Sequence, residues 1–153
     1  MKYLLLILLV CFTSCKAQKE TQLTSEQKDS GMILIAHDEY SGISEYETMV
    51  IRDAKSLNKF YAKINRTRKP GLPVPTLDFS KEIVLVVCLG EQKGKKLLTL
   101  SSNEETENEV SVSIEMVDSD EVEKDKVQYV SYPFYIYKIP HTSKTINFEK
   151  IGW

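Results

Sequence analysis

The seven residues Ile83 to Leu89 form an unbroken apolar run rich in valine, and they restrict the fold more than any other stretch. A run of that length is too short to cross a bilayer. It fits a strand buried on both faces. Asp78 and Ser80 precede it and can turn the chain by bonding nearby backbone amides. Gly90 and Gly94 follow, and the sequence predicts that they release the strand into a hairpin, with Lys96 to Ser101 pairing back across it.

The rest of the chain supplies the neighbouring elements. Met32 to Ala36 is apolar and reads as a strand, with His37 to Gly42 as a polar turn after it. Glu45 to Arg52 reads as a second strand. Asp53 to Asn65 is the clearest helix. Asp53 suits the N-cap, and Leu57, Phe60, Tyr61 and Ile64 fall at i, i+3, i+4 and i+7 on one stripe. In Lys69 to Thr76 three prolines forbid a helix and a central strand. The segment reads as a rigid connector pinned by Leu72 and Val74, with a proline-rich docking motif as the less favoured alternative. Ser102 to Asn108 reads as an acidic hairpin loop. Val110, Val112, Ile114 and Met116 alternate with polar residues, as in a half-exposed strand. Gln128 to Ile139 is a long aromatic strand edged at Pro133, and Thr145 to Lys150 closes the chain with Ile146 and Phe148 inward. Short connections favour antiparallel pairing. The expected class is α+β: a mostly antiparallel curved sheet or open barrel of about seven strands, covered on one side by one long helix.

The N-terminus reads differently. Lys2 precedes the apolar segment Tyr3 to Phe12, which has the length of a secretory leader and is too short for a membrane span. Thr13 and Ser14 are small and stand directly before Cys15. This resembles a bacterial lipoprotein signal cut before a lipidated Cys15, although Phe12 stands where leucine is usual. An ordinary signal peptide or an uncleaved anchor is the competing reading. Residues 16–30 hold one large apolar residue, Leu23, and read as a flexible tether. The expected organisation is a signal peptide over residues 1–14, a tether over 15–30 and one globular domain over 31–153. The net charge of −2, with both signs mixed along the chain, lacks the basic stripe that nucleic acid needs.

Catalytic chemistry finds little support. Cys88 is the one thiol outside the leader region and sits among Val86, Val87 and Leu89, so it reads as a small core residue. His37 and His141 lie on separate polar turns without zinc-ligand spacing. No nucleophile elbow, phosphate loop or dinucleotide fingerprint occurs. Asp118, Asp120, Glu121, Glu123 and Asp125 depart from the calcium-loop pattern at Val122 and Glu123. They read as a solvated loop, as do Glu104, Glu105, Glu107 and Glu109. No metal and no cofactor is expected. The aromatic strand draws more interest. Alternation places Tyr129, Ser131, Pro133, Tyr135 and Tyr137 on one face and Val130, Tyr132, Phe134, Ile136 and Lys138 on the other. Tyr129, Tyr135 and Tyr137 are the candidate partner-binding residues, because tyrosine offers a rigid contact area with a polar tip. Ordinary cross-strand packing is the competing reading.

Taken together, Leu77-Asp78-Phe79-Ser80, the valine-rich strand ending Leu89-Gly90, the glycine-containing turn, the strand with Pro133 and the closing Lys138-Ile139-Pro140 resemble the PrcB protease-complex-subunit family, in its C-terminal domain. The preceding helix and the leader agree. The resemblance runs from Glu45 to Phe148, and Gly94-Lys95-Lys96 stands where that family often has a Gly-Gly-aromatic turn. It implies a non-catalytic lipoprotein that steadies a protease complex. The expectation is a lipid-anchored binding or accessory module of the cell envelope, outer membrane rather than inner, with a membrane contact through its lipid and a protein partner. A small envelope hydrolase or protease inhibitor is the alternative from another class.

Overall fold

The structure is a computed structural model that describes residues 31–118 and 129–153. Cys15, the leader, the tether and most of the acidic loop after Asp118 lie outside the described residues. Nine strands and one helix are described: β1 (Ile33–Asp38), β2 (Glu47–Ile51), α1 (Ala54–Ile64), β3 (Glu82–Cys88), β4 (Gln92–Lys93), β5 (Lys96–Glu105), β6 (Glu109–Asp118), β7 (Val130–Ser131), β8 (Phe134–Pro140) and β9 (Thr145–Ile151). The class is α+β, mostly strand with one helix.

The apolar run becomes β3, and it lies inside a four-stranded antiparallel sheet of order β1-β8-β3-β2. Its side chains from Ile83 to Cys88 are fully buried, as a strand covered on both faces requires. Alternation splits its residues between two cores. Val84, Val86 and Cys88 face α1, where they pack with Phe134 and Ile136 of β8 against Leu57, Phe60, Tyr61 and Ile64. Ile83, Leu85 and Val87 face the other way. There, with Tyr135, Tyr137 and Ile139, they meet Leu98, Leu100, Val110, Val112 and Ile114. That second layer is a three-stranded sheet of order β5-β6-β9. The protein is thus a helix, a sheet and a second sheet in three stacked layers.

The helix stripe and its N-cap are as the spacing predicts. The Asp53 carboxylate accepts from the Ser56 amide at 2.8 Å and from its hydroxyl at 2.7 Å. α1 is short, 11 residues, rather than the long helix expected. Its end is tied down by Asn65, whose side chain donates to the Leu72 carbonyl and accepts from the Leu72 amide, both at 2.8 Å. That bond and the packing of Leu72 fix the proline-rich connector. Val74, expected to share the task, is exposed.

Several expected pairings are replaced. The single curved sheet or open barrel is instead three sheets, none closed. Lys96 to Ser101 does not pair back on β3: β5 pairs with β6, while β3 takes β2 and β8 as neighbours. β4 and β7 form a two-stranded ribbon. The acidic hairpin loop tightens to Thr106, Glu107 and Asn108, because β5 runs on to Glu105 and the Thr106 hydroxyl accepts from the amides of Asn108 and Glu109. His37 and Asp38 belong to β1 rather than to a turn. β9 pairs with β6 in parallel. The antiparallel expectation fails there because, between β6 and β9, the chain builds β7 in the ribbon and β8 in the four-stranded sheet before it returns. A parallel neighbour needs such a long crossover.

The turn after β3 leaves no room for a side chain. Gly90 has φ +73°, and a Cβ there would lie 2.8 Å from the Ser44 carbonyl oxygen and 2.9 Å from the Tyr46 nitrogen. Both atoms are backbone and cannot swing away, so glycine is required both by conformation and by space. The contact fixes the start of β2 against the end of β3.

Candidate functional site: a groove beside the β2 edge

β2 is the last strand of its sheet, and α1 follows it in the chain. Between them lies an open groove of about 590 Å3. From β2 it is lined by Glu47, Met49, Val50 and Ile51, and from α1 by Ser56, Lys59, Phe60 and Lys63. Strand side chains alternate, so Met49 and Val50 point to opposite faces of the sheet. Val50 packs with the second-sheet core and Met49 with the helix core. Both can line one groove only where it reaches around the strand's open edge. The groove therefore runs along the margin of a β-strand, with Met49 and Val50 half-buried in its wall and Ile51 and Phe60 buried beneath.

Its rim is charged. Lys63 Nζ lies 2.9 Å from the Glu47 carboxylate, both side chains being well solvated. Lys55, Lys59 and Lys63 recur every four residues and so form one row along α1. Lys59 has no ion pair among the described residues. The register with β3 is regular from Glu47 opposite Cys88 to Ile51 opposite Val84. Such a site has the means to bind, with apolar area, cationic charge and a strand edge. A pair of ionisable groups enclosed in a deep pocket is not what lines it.

The residues singled out from sequence fall elsewhere. Cys88 is fully buried, and its thiol is pushed up to about 12, chiefly by burial and then by the carboxylate of Glu47. Tyr135 and Tyr137, expected on a solvent face, belong to the core at 4% and 0% exposure. Their hydroxyls donate to the Lys96 carbonyl at 2.6 Å and the Leu98 carbonyl at 3.1 Å. The strand is covered on both sides, and alternation alone does not reveal the second sheet above it. Burial raises the Tyr135 phenol well above its ordinary value. Tyr129 is 51% exposed, as expected, so the three tyrosines share no surface. Lys138, placed with the core side, closes a salt bridge to Glu82 at 2.5 Å.

His37, Asp38 and Glu39 are consecutive, and the structure separates them. His37 stacks on the ring of Tyr135 at 5.8 Å. Asp38 turns to Arg68, which donates to both of its carboxylate oxygens and to the Tyr40 carbonyl. Burial opposes the charge on Asp38, yet the hydrogen bonds from Arg68 and the Tyr40 amide, with the field of Arg68, together more than offset it and hold the carboxyl below its ordinary value. Glu39 is shifted the other way, raised by burial. These groups lash β1 to the loop after α1 and to the ribbon region. His141 donates its backbone amide to the Lys81 carbonyl, remote from His37 in the chain. Among the described residues no cluster of three or more His, Cys, Asp or Glu side chains could hold a metal ion. No helix among them is long and apolar enough to cross a membrane.

Sequence reasoning did not find the groove. Two signals for it were present: three consecutive apolar residues, Met49 to Ile51, in a strand that otherwise alternates, and the lysine row on the helix that follows. Their meaning depends on β2 standing at an edge, and that is set by pairings far away in the chain. No protein-family model, no curated protein and no solved structure matches this chain.

Proposed function

We propose that this protein is a non-catalytic, lipid-anchored accessory module of the bacterial cell envelope, held to the outer membrane through Cys15, and that it steadies a partner protein, in the manner of the PrcB-like subunits it resembles. The observation that carries the binding part of this reading is the open groove between β2 and α1, with the half-buried Met49 and Val50 in its wall, Ile51 and Phe60 buried beneath, and Lys59 and Lys63 on its rim. A concave site with apolar walls and a few polar groups is a usual form of binding site. The leader pattern ending in Cys15 supports the anchor, since several acyl chains on one residue give stable attachment.

Two measurements test the two halves. Cys15→Ser should move the protein out of the membrane fraction or leave a heavier precursor. Unchanged mass and unchanged fractionation would refute the anchor. For the groove, Met49→Lys should keep the melting curve of the parent, because a half-buried position at the margin lets lysine extend to water. It should lose the proteins recovered by native pull-down. A variant that recovers them all as before would remove the groove as the partner site.

A further inference from the structure

We infer that the partner enters the groove as an extended peptide that adds a strand to the outer edge of β2, its apolar side chains set toward the half-buried Met49 and an acidic side chain toward Lys59. This deepens the binding reading above and rests on it. An edge strand presents a row of unpaired amides and carbonyls, and natural proteins commonly blunt such rows with bulges, charges or covering groups. This fold does so elsewhere. β1, the opposite edge of the same sheet, carries a register shift between Leu34 and Ala36. β5, an edge of the second sheet, has carbonyls of Lys96 and Leu98 capped by the Tyr135 and Tyr137 hydroxyls. β9, the other edge of the second sheet, begins beside Lys144, whose ammonium holds Glu105 at 2.7 Å, and carries Lys150 over the rings of Tyr46 and Trp153.

On β2 the one such device is Glu47, at the strand's first residue, where Lys63 holds it. The rest of the strand contains no charge and no proline, its register is unshifted, and the groove runs along its margin. A peptide laid there would satisfy the open backbone groups by main-chain bonds and place alternate side chains in the groove. The charge argument selects its chemistry. Glu47 is matched by Lys63, whereas Lys59 stands over the same groove without a carboxylate. An acidic residue in the added strand completes the row. A basic strand would meet Lys59 and Lys63.

The test uses the full chain in detergent micelles and a displayed library of random peptides of about ten residues, long enough to span a five-residue strand with flanks. Selection should return peptides with alternating apolar residues and at least one acidic residue. The recovered peptide, made synthetically, should slow amide hydrogen exchange at alternate residues of β2. A version N-methylated at alternate positions should bind roughly tenfold more weakly or not at all, having lost the ladder bonds. Lys59→Glu, on the exposed helix face, should weaken binding roughly twofold to fivefold, with the difference closing at high salt. If the N-methylated peptide binds equally well and β2 exchange is unchanged, strand addition is wrong while the groove remains a binding site. Protection of β2 without peptide, together with a dimer mass, would assign the edge to a second copy of the chain. A library that yields no binder, or a basic consensus, would overturn the proposal.

Discussion

Tyr137→Phe removes one oxygen atom from the centre of the protein, and its cost can be reasoned from the geometry. Tyr137 is fully buried, and its hydroxyl donates to the Leu98 carbonyl at 3.1 Å, bridging the two sheets. Leu98 is itself 5% exposed, so water cannot easily take the lost partner's place. Leaving a buried carbonyl short of a donor costs about 1–3 kcal/mol, against a net worth of about 1 kcal/mol for an ordinary hydrogen bond. The expected loss is therefore about 2 kcal/mol, within the 5–15 kcal/mol that typical domains possess, so the variant should stay folded. Urea titration is the suitable assay. The midpoint should fall while the slope stays that of the parent, because the surface exposed on unfolding is nearly the same. Tyr129→Phe is the control: its side chain is half exposed and the change should stay within about 0.5 kcal/mol. Tyr135→Phe should resemble Tyr137→Phe, and the double variant should depart from additivity because the two hydroxyls cap neighbouring carbonyls of one strand. A Tyr137→Phe midpoint equal to the parent's would refute the bridging role of the hydroxyl and with it the claim that these tyrosines close the β5 edge.

Three further outcomes are expected. Cys88→Ala should cost on the order of 1 kcal/mol or somewhat more from lost burial and a small cavity. With its thiol pushed up to about 12, Cys88 should react with a bulky reagent only on unfolding, and fast labelling of the native protein would contradict its burial. Asn65→Ala breaks both bonds to the Leu72 backbone and should cost about 1–3 kcal/mol, with limited proteolysis at the proline-rich connector rising in step; an unchanged cleavage rate would show the connector is held by other contacts. Arg68→Met should destabilise at neutral pH, and the gap to the parent should narrow in acid. The Asp38 carboxyl lies below its ordinary 3.8, so its contribution is present in full above that value and disappears as pH falls through the lower folded value. A gap that stays constant down through that range would exclude the Asp38–Arg68 pair as its source.

What could be read from the sequence was what depends on near neighbours. The α1 stripe of Leu57, Phe60, Tyr61 and Ile64, its cap at Asp53 and the doubly buried β3 follow from spacing within a few residues, and all appear in the structure. The turn at Asp78 is as local: its carboxylate accepts from the Ser80 amide at 3.1 Å and from the Ser80 hydroxyl at 2.6 Å. The aromatic strand was misread for a physical reason. Tyrosine is amphipathic, and alternation of tyrosine with Phe134 and Ile136 suits either a wet face or a buried face that offers carbonyl acceptors. Which one obtains depends on whether β5 and β6 lie above it. That in turn depends on a crossover that short connections did not suggest. The groove was hidden for the same reason, since no residue in Glu47–Ile51 announces that its strand is the last one.

The edges of the two sheets then explain why a binding surface sits where it does. β8 cannot be that surface, because its side chains are spent on packing: Phe134 and Ile136 against α1, Tyr135 and Tyr137 against the second sheet. Covering the central strands on both faces confines unpaired backbone to strand edges. Tyrosine hydroxyls close the edge at β5, and the bulge irregularises β1. β2 combines an unshifted register with a groove along its margin, and its position is not loose. Gly90 presses against Ser44 and Tyr46, so the start of β2 is set by the end of the most buried strand in the protein. Arg52, just beyond its other end, donates to the carbonyls of Thr142 and Lys144 and ties it to the segment entering β9. An edge held at both ends loses little further freedom when it accepts a strand, and binding on a preorganised element is favoured for that reason. The rigidity that makes β2 a good template is thus a product of the same core that buries Cys88 and the tyrosines.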